Sequence, residues 1–236
     1  MIGYDLVLFD LDGTLVETAP EIADAVNDTL RAFDWPAVSQ AQVESWIGHG
    51  TRELLVDAVA SARAMPVEQV CAAAWLPKVA AAFDRHYAGR CGTRSRPYPR
   101  SRELLRYLRS RGVRLAVVTN KEARYTDRVL AAHALAPLLD RVVSGDTLAR
   151  KKPDPAGVLA CLGEFGVARE RALLVGDSEI DAATARNAGV AVWLLPHGYN
   201  RGRPVAEARP DRIVADFDAL RDALDARALA SSIGSS

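Results

Sequence analysis

Two aspartates near the start of the chain, Asp10 and Asp12, have the spacing of a metal-binding or catalytic pair. They follow Val7-Leu8-Phe9, an apolar run typical of a buried strand, and they precede Gly13. Open α/β folds bind ligands where such strands end. One metal ion could take the Asp10 side chain and the backbone carbonyl of residue 12, which would leave the Asp12 carboxylate for proton transfer. Gly13 would let the backbone approach a ligand closely. The alternative is a solvated acidic turn without chemistry.

Two later apolar runs also end in polar residues. Residues 115–118 lead into Thr119-Asn120, and residues 172–175 lead into Gly176-Asp177-Ser178, with Asp181 four positions after Asp177. The carboxyl ends of parallel strands share one edge of a sheet, so we expect these groups to meet Asp10 and Asp12 there. Asp181 lies one helical turn further along and can point the same way. Simpler roles remain open, because Thr119-Asn120 could cap a helix and Asp181 could be a first-turn acid.

A basic loop bounded by prolines, Lys151-Lys152-Pro153-Asp154-Pro155, supplies positive charge to the same edge. Carboxylates beside a lysine and a Thr/Asn pair are typical of a hard-cation site next to an oxyanion site. Oxygen donors without a nearby histidine or cysteine favour Mg²⁺ over zinc. The sequence therefore predicts a magnesium-dependent reaction of an anionic substrate.

The elements that position these groups alternate strand and helix, apart from one helical block. From Pro20 to about Arg90 apolar residues recur at helical spacing without a convincing strand. Within this block we expect helix starts at two capping boxes, a break at Gly48-His49-Gly50, and one long helix over about Val67–Ala88. The capping boxes are Thr18 with Glu21 and Ser39 with Gln42.

The fold class predicted from this order is α/β, with a Rossmann-like, doubly wound parallel sheet as the core and an inserted α-helical domain. We place the core at residues 1–16 and 93–228 and the helical domain at residues 17–92. Residues 229–236 are expected to be a disordered tail.

The composition excludes several classes of function. The 236 residues carry 30 basic and 30 acidic side chains, for a net charge of +0, which gives no electrostatic case for binding nucleic acid or an anionic membrane. The three cysteines form no CxxC pair, no apolar stretch reaches membrane-spanning length, and no signal-peptide pattern precedes the first strand. We expect a cytoplasmic protein, a monomer or homodimer, without a nucleic acid or membrane partner.

Together these segments resemble a known family. Asp10-Leu11-Asp12-Gly13-Thr14-Leu15, Thr119-Asn120, Lys152-Pro153 and Gly176-Asp177-x3-Asp181 are similar, in this order, to the four motifs of the haloacid dehalogenase-like hydrolases. The resemblance covers most of the chain, and the helical block is similar to the cap that the family inserts between the first and second motifs.

The resemblance implies a role for each motif residue. Asp10 would be the nucleophile that forms an aspartyl-phosphate, and Asp12 would protonate the leaving group and then deprotonate water. Lys152 would stabilise negative charge. Three further roles are implied: Mg²⁺ held by the Asp10 side chain, the Asp12 carbonyl and Asp177; phosphoryl oxygens bound by Thr119 and Asn120; and support from Asp181 and Ser178, with Asp181 orienting Lys152 or a metal-bound water.

Short stretches in the helical block and after the fifth strand narrow the resemblance to bacterial phosphoglycolate phosphatases. These stretches are Trp46-Ile47-Gly48-His49-Gly50 and Gly198-Tyr199-Asn200. The activity implied is hydrolysis of 2-phosphoglycolate, so the implied partner is a small phosphorylated metabolite. Gly48 is expected at the substrate. Arg52 is expected to reach the substrate carboxylate, and the alternative is that Arg52 is a surface helix residue.

Other activities remain open at this point. A dehalogenase needs no second acid, so Asp12 argues against it. A phosphomutase or a phosphatase for another small phosphomonoester, such as a sugar phosphate, would use the same core residues. A phosphometabolite-binding module without catalysis is a further alternative.

Overall fold

The structure, a computed structural model, describes residues 3–233 and contains one large and one small β-sheet. The large sheet has six parallel strands in the order β5-β4-β1-β6-β7-β8, and the small sheet pairs β2 with β3 in antiparallel fashion. The strands are β1 (Leu6–Phe9), β2 (Val16–Glu17), β3 (Arg96–Pro97), β4 (Arg114–Val118), β5 (Arg141–Val143), β6 (Ala172–Gly176), β7 (Ala191–Leu194) and β8 (Arg212–Ile213).

Ten α-helices accompany these strands in the described part of the chain, together with three short 3-10 turns. The helices are α1 (Ala19–Ala32), α2 (Gln40–Trp46), α3 (Thr51–Arg63), α4 (Val67–Cys71), α5 (Leu76–Arg90), α6 (Ser101–Ser110), α7 (Ala123–Ala132), α8 (Ala156–Phe165), α9 (Glu179–Ala188) and α10 (Phe217–Ile233). None of the helices in residues 3–233 combines the length and the apolar character that a membrane crossing requires.

Helices cover both faces of the large sheet. Val7 and Phe9 of β1 pack in one apolar cluster with α6, α7 and α10, whereas Leu6 and Leu8 pack in another with α8 and α9. All four β1 side chains are buried, as expected for a central parallel strand. The doubly wound α/β core predicted from the sequence is therefore confirmed.

Helices α1 to α5 lie between β2 and β3 in the sequence, and their apolar side chains form a separate cluster. The chain leaves the core through Val16–Glu17 and returns through Arg96–Pro97, and these segments pair with each other. The helical block thus joins the core through two adjacent strands. The division at 16/17 and 92/93 stays a prediction.

Of the two capping boxes predicted from the sequence, one forms and the other does not. The Ser39–Gln42 capping box forms at α2. Thr18 makes no side-chain cap at α1, because its hydroxyl donates to Asp12 and Glu21 accepts from the distant Gly92. The single helix expected over Val67–Ala88 is two helices, α4 and α5, and Pro77 lies in the first turn of α5.

Helix α10 extends to Ile233 and so enters the segment 229–236 for which a tail was expected. Residues 234–236 lie outside the described residues.

Candidate active site

Three adjacent strands deliver the acidic and polar residues to one edge of the sheet. Strands β4 and β6 flank β1 in parallel, and Asp10, Thr119 and Asp177 follow directly after them. Asp10, Asp177 and Asp181 each offer a carboxylate oxygen within 4.8 Å of the others, and all three residues are buried. The structure thus brings together three of the carboxylates expected to meet.

The lysine of the proline-bounded loop lies between two of these acids. Lys152 Nζ is 2.8 Å from Asp10 Oδ1 and 2.7 Å from Asp181 Oδ1. Burial lowers the pKa of Lys152, but the charges of Asp10 and Asp181 outweigh burial and hold the pKa above its ordinary value. Lys152 therefore stays charged against Asp10.

Burial and repulsion between the carboxylates raise the pKa values of Asp10 and Asp177. Burial raises the pKa of Asp10 to about 6, against the lowering effect of Lys152 and with a further increase from the Asp181 charge. Burial also raises the pKa of Asp177 well above its ordinary value, with added repulsion from Asp181 and Asp10. A buried group of three acids with one lysine has an excess of negative charge that favours a bound cation.

Asp181 acts as a support for its neighbours. Its Oδ2 accepts hydrogen bonds from the backbone nitrogens of Asp177 and Ser178, both 3.2 Å away, and from Ser178 Oγ at 2.6 Å. Ser178 and Asp181 thereby form a capping box at the start of α9. Because its other oxygen contacts Lys152, Asp181 connects the end of β6 to the lysine.

Asp177 lies in a cradle formed by two distant glycines. Thr14 Oγ1 donates a hydrogen bond of 2.7 Å to Asp177 Oδ1, and the Tyr199 backbone nitrogen donates to Oδ2. A Cβ at Gly13 would lie 2.4 Å from Asp177 Oδ2, and one at Gly198 would lie 2.1 Å from it. Neither position has room for a side chain, so both glycines are required to admit this carboxylate.

Asp12 has two partners. Thr18 Oγ1 donates to its Oδ1 at 2.7 Å, and Lys121 Nζ lies 3.0 Å from Oδ1 and 3.1 Å from Oδ2. Lys121 is buried, with its Nζ 4.9 Å from the centroid of the Tyr87 ring. Lys121 was not predicted as a site residue from the sequence. Its position directly after Thr119-Asn120 could have indicated that it lies at the same edge of the sheet.

The Asn120 side chain connects the core to the helical block. Its Nδ2 donates to the Gly48 carbonyl at 2.9 Å and to the Lys152 carbonyl at 3.0 Å. Both amide hydrogens are thereby engaged, whereas phosphoryl oxygens were the expected partners. The Thr119 hydroxyl accepts from the Lys121 backbone nitrogen at 3.2 Å and lies at the cavity described next.

A cavity separates the acidic edge of the sheet from the helical block. The core contributes Asp10, Asp12, Thr119, Asn120 and Lys121, and the block contributes Ile22, Ile47, Gly48, Gly50, Thr51, Leu54, Phe83 and Tyr87. Polar groups therefore face an apolar wall. Gly48 lines this cavity, whereas Arg52 is exposed and is not among the lining residues.

Further contacts hold the block over the cavity. Thr51 Oγ1 donates to Glu122 Oε2 at 2.6 Å. Lys151 Nζ donates to the His49 carbonyl at 2.6 Å and lies 3.2 Å from Glu53 Oε2. Core and block are thus in contact at the Gly48–Gly50 break and at the start of α3.

Comparisons with known proteins agree with this arrangement. The family model described as "Haloacid dehalogenase-like hydrolase" matches residues 7–195. This chain is a member of the haloacid dehalogenase-like hydrolases.

Related members of this family resemble the chain over nearly its whole length. A phosphoglycolate phosphatase of Vibrio cholerae is 35% identical over 93% of this chain and 96% of its own. One from Rhodospirillum rubrum is 41% identical over 92% of this chain and 89% of its own. The crystal structure of a predicted phosphoglycolate phosphatase from Haemophilus somnus is 34% identical and superimposes with a TM-score of 0.87, covering 94% of this chain and 98% of that one.

The donor set of this haloacid dehalogenase-like hydrolase fits Mg²⁺. Asp10, Asp177 and Asp181 offer only oxygen ligands, and Lys152 offsets one of their three charges. Mg²⁺ binds carboxylate oxygens of this kind. Both oxygens of Asp181 are engaged, by Lys152 and by the start of α9, and both oxygens of Asp177 likewise accept hydrogen bonds, from Thr14 and Tyr199.

Proposed function

We propose that the protein hydrolyses 2-phosphoglycolate to glycolate and phosphate in a Mg²⁺-dependent reaction through an aspartyl-phosphate on Asp10. The observation that carries this proposal is that Asp10, held by Lys152 at 2.8 Å, and Asp12 line the same side of a cavity whose opposite wall is apolar. The similarity to phosphoglycolate phosphatases over 92–93% of the chain supports the substrate.

In the first step a carboxylate oxygen of Asp10 would attack phosphorus, while the bond from phosphorus to the glycolate oxygen breaks. Lys152 holds Asp10 Oδ1 and fixes the direction of the carboxylate. Asp12 would give its proton to the departing oxygen, so that glycolate leaves with a neutral hydroxyl. Thr119, whose hydroxyl lies at the cavity, would bind a phosphoryl oxygen.

In the second step water would attack phosphorus of the aspartyl-phosphate, and Asp12 would take the proton of that water. The bond between phosphorus and the Asp10 oxygen breaks, which releases phosphate and restores the carboxylate. The apolar wall formed by Ile22, Ile47 and Leu54 would exclude other water from the site.

Mg²⁺ would be held by the side chains of Asp10 and Asp177 and by the Asp12 carbonyl. When bound, it supplies a Lewis acid that offsets repulsion between the carboxylates and the phosphoryl oxygens. We further expect a cytoplasmic enzyme that acts as a monomer or homodimer without a nucleic acid partner, in line with the net charge of +0.

Phosphate release from a panel of esters, with Mg²⁺ or with EDTA, tests the proposal. The panel contains 2-phosphoglycolate, sugar phosphates, nucleoside monophosphates and pyrophosphate, and the Asp10→Asn variant measures background. We expect Mg²⁺-dependent release that is fastest with 2-phosphoglycolate and absent in the variant. Preference for a sugar phosphate would keep the mechanism and overturn the substrate. Release from none would point to a mutase or a binding module.

A further inference from the structure

Lys121 is a buried cation to which neither the four motifs nor the proposed steps give a task. It is 7% exposed, lines the cavity, and contacts both oxygens of Asp12. Removing an ammonium group from water is costly, and the fold could fill the same space with an apolar side chain. The burial of this charge is therefore easiest to explain if the ammonium group binds a ligand.

The charges around the cavity are unevenly distributed. Among the described residues that line it, Lys121 is the one cation, and it faces Asp10 and Asp12. Lys152 lies outside the lining, between Asp10 and Asp181. The wall from the helical block offers mainly apolar side chains. A second anionic group on a substrate would thus meet a positive side chain only at Lys121.

The distance from Lys121 to the reacting atoms limits the length of that substrate. Asp12 must reach the departing oxygen, and Lys121 Nζ lies 3.0–3.1 Å from the Asp12 carboxylate. Nζ is therefore within two hydrogen-bond lengths, roughly 6 Å, of the departing oxygen. In 2-phosphoglycolate the carboxyl carbon is separated from that oxygen by a single methylene. A longer acid would press its carboxylate against the apolar wall.

The start of α3 adds to the positive character of the opposite wall. This 13-residue helix begins at Thr51, directly after Gly50, and both residues line the cavity. Its N-cap makes no side-chain hydrogen bond. The N-terminal end of a helix favours anions.

We propose that Lys121 is the specificity-determining residue of this site, which accepts the substrate carboxylate on its ammonium group and thereby selects short phosphorylated acids. This role rests on the proposed function and names the group that distinguishes its substrate. The ammonium group has three N–H donors, so it can bind the substrate carboxylate and keep its contact with Asp12, which reaches the departing oxygen.

The test compares two substrates that differ only in the group opposite Lys121. 2-Hydroxyethyl phosphate replaces the carboxylate of 2-phosphoglycolate by a hydroxymethyl group. The readout is the ratio of kcat/KM for 2-phosphoglycolate to kcat/KM for 2-hydroxyethyl phosphate. We expect Lys121→Met to lower this ratio by about 100-fold or more, because a desolvated charge pair is lost. Lys121→Arg should stay within about tenfold of the wild type, because the positive charge is kept.

Product inhibition gives a readout that does not depend on the chemistry of either ester. Glycolate should inhibit hydrolysis of 2-hydroxyethyl phosphate by the wild type, and its inhibition constant should rise in Lys121→Met by a factor similar to the change in ratio. Lys78→Met makes the same change at an exposed lysine of α5 and should leave both quantities unchanged.

Three outcomes would overturn the proposal in distinguishable ways. If Lys121 only positions Asp12, both substrates slow equally in Lys121→Met and the ratio stays that of the wild type. A fall of the ratio in Arg52→Ala, with none in Lys121→Met, assigns the carboxylate to Arg52 instead. A wild-type ratio near one overturns the proposed substrate itself, and this role with it.

Discussion

The Asn120 side chain donates a hydrogen bond of 2.9 Å to the carbonyl oxygen of Gly48 and thereby joins the end of β4 to the helical block. The same amide donates to the Lys152 carbonyl at 3.0 Å. One side chain therefore fixes two loops of the core edge and the segment that closes the cavity.

Asn120→Asp should weaken this closure. The variant places a carboxylate against the two carbonyl oxygens, so two hydrogen bonds are replaced by repulsion. We expect KM for 2-phosphoglycolate to rise by about tenfold or more, with a smaller change in kcat, in steady-state kinetics. Asn187→Asp is the matched control, because Asn187 makes a similar bond of 2.8 Å to the Pro153 carbonyl at an exposed site. Equal kinetics for the two variants would contradict the role of Asn120.

Asp10→Asn should stabilise the metal-free protein while abolishing turnover. Burial raises the pKa of Asp10 to about 6 from its ordinary value of 3.8, so the folded state binds the proton more tightly than the unfolded state. Stability from this group is present at low pH and falls as the pH rises from about 4 to 6, by an amount of the order of 3 kcal/mol.

Thermal unfolding in EDTA at several pH values measures this effect. The Tm of Asp10→Asn should exceed that of the wild type at pH 7, and the difference should close as the pH approaches 4. Mg²⁺ should then raise the Tm of the wild type more than that of the variant. A variant less stable than the wild type at pH 7 would show that the buried charge of Asp10 does not destabilise the metal-free protein.

Tyr199→Phe should affect both stability and substrate binding. The Tyr199 hydroxyl accepts hydrogen bonds from the backbone nitrogens of Thr18 at 3.1 Å and Ala19 at 3.0 Å, at the start of α1. Losing this acceptor leaves two buried donors unpaired, at a cost of about 1–3 kcal/mol. KM should rise, because α1 places Ile22 on the cavity wall. Chemical denaturation and steady-state kinetics measure the two effects.

Tyr107→Phe provides the control for this change. The Tyr107 hydroxyl donates to Asp225 Oδ1 at 2.6 Å between α6 and α10, away from the cavity. Its loss should lower stability and leave KM unchanged. If Tyr199→Phe behaves in the same way, its hydroxyl has no influence on the site.

Glu21→Ala should loosen the segment through which the chain returns to the core. Glu21 Oε2 is buried and accepts from the backbone nitrogens of Gly92 at 2.9 Å, Arg94 at 3.3 Å and Ser95 at 2.9 Å. We expect a loss of about 3 kcal/mol or more, and less than half of that for Glu21→Gln, which keeps an acceptor.

Trypsin cleavage after Arg94 measures this loosening directly. The rate should rise in Glu21→Ala and stay near that of the wild type in Glu68→Ala, a control at an exposed glutamate of α4. Unchanged cleavage in Glu21→Ala would mean that other contacts hold the segment.

The sequence was sufficient to predict the residues at the strand ends, but it was not sufficient to predict contacts between distant segments. Apolar runs followed by Asp10, Thr119 and Asp177 predict both the parallel sheet and the edge where these residues meet, because the hydrophobic pattern and the strand direction are local properties. The doubly wound fold was predicted correctly for the same reason, and the family was predicted correctly from the order of its four motifs.

Contacts between separate segments of the chain were not predicted from the sequence. Thr18 and Glu21 have the spacing of a capping box, yet Thr18 bonds to Asp12 and Glu21 to residues 92–95. Lys121 reaches Asp12 across 109 positions. Such partners depend on how the folded chain brings separate segments together, which local spacing does not encode.

The glycines at positions 13 and 198 have a consequence for any attempt to redesign this protein. A methyl group at either one would overlap the Asp177 carboxylate, and Gly13 in addition has a φ of 88°. A mutational library can therefore diversify the apolar wall while these two codons are held constant. The codons of the apolar wall thus lie in a stretch of the gene separate from both glycine codons.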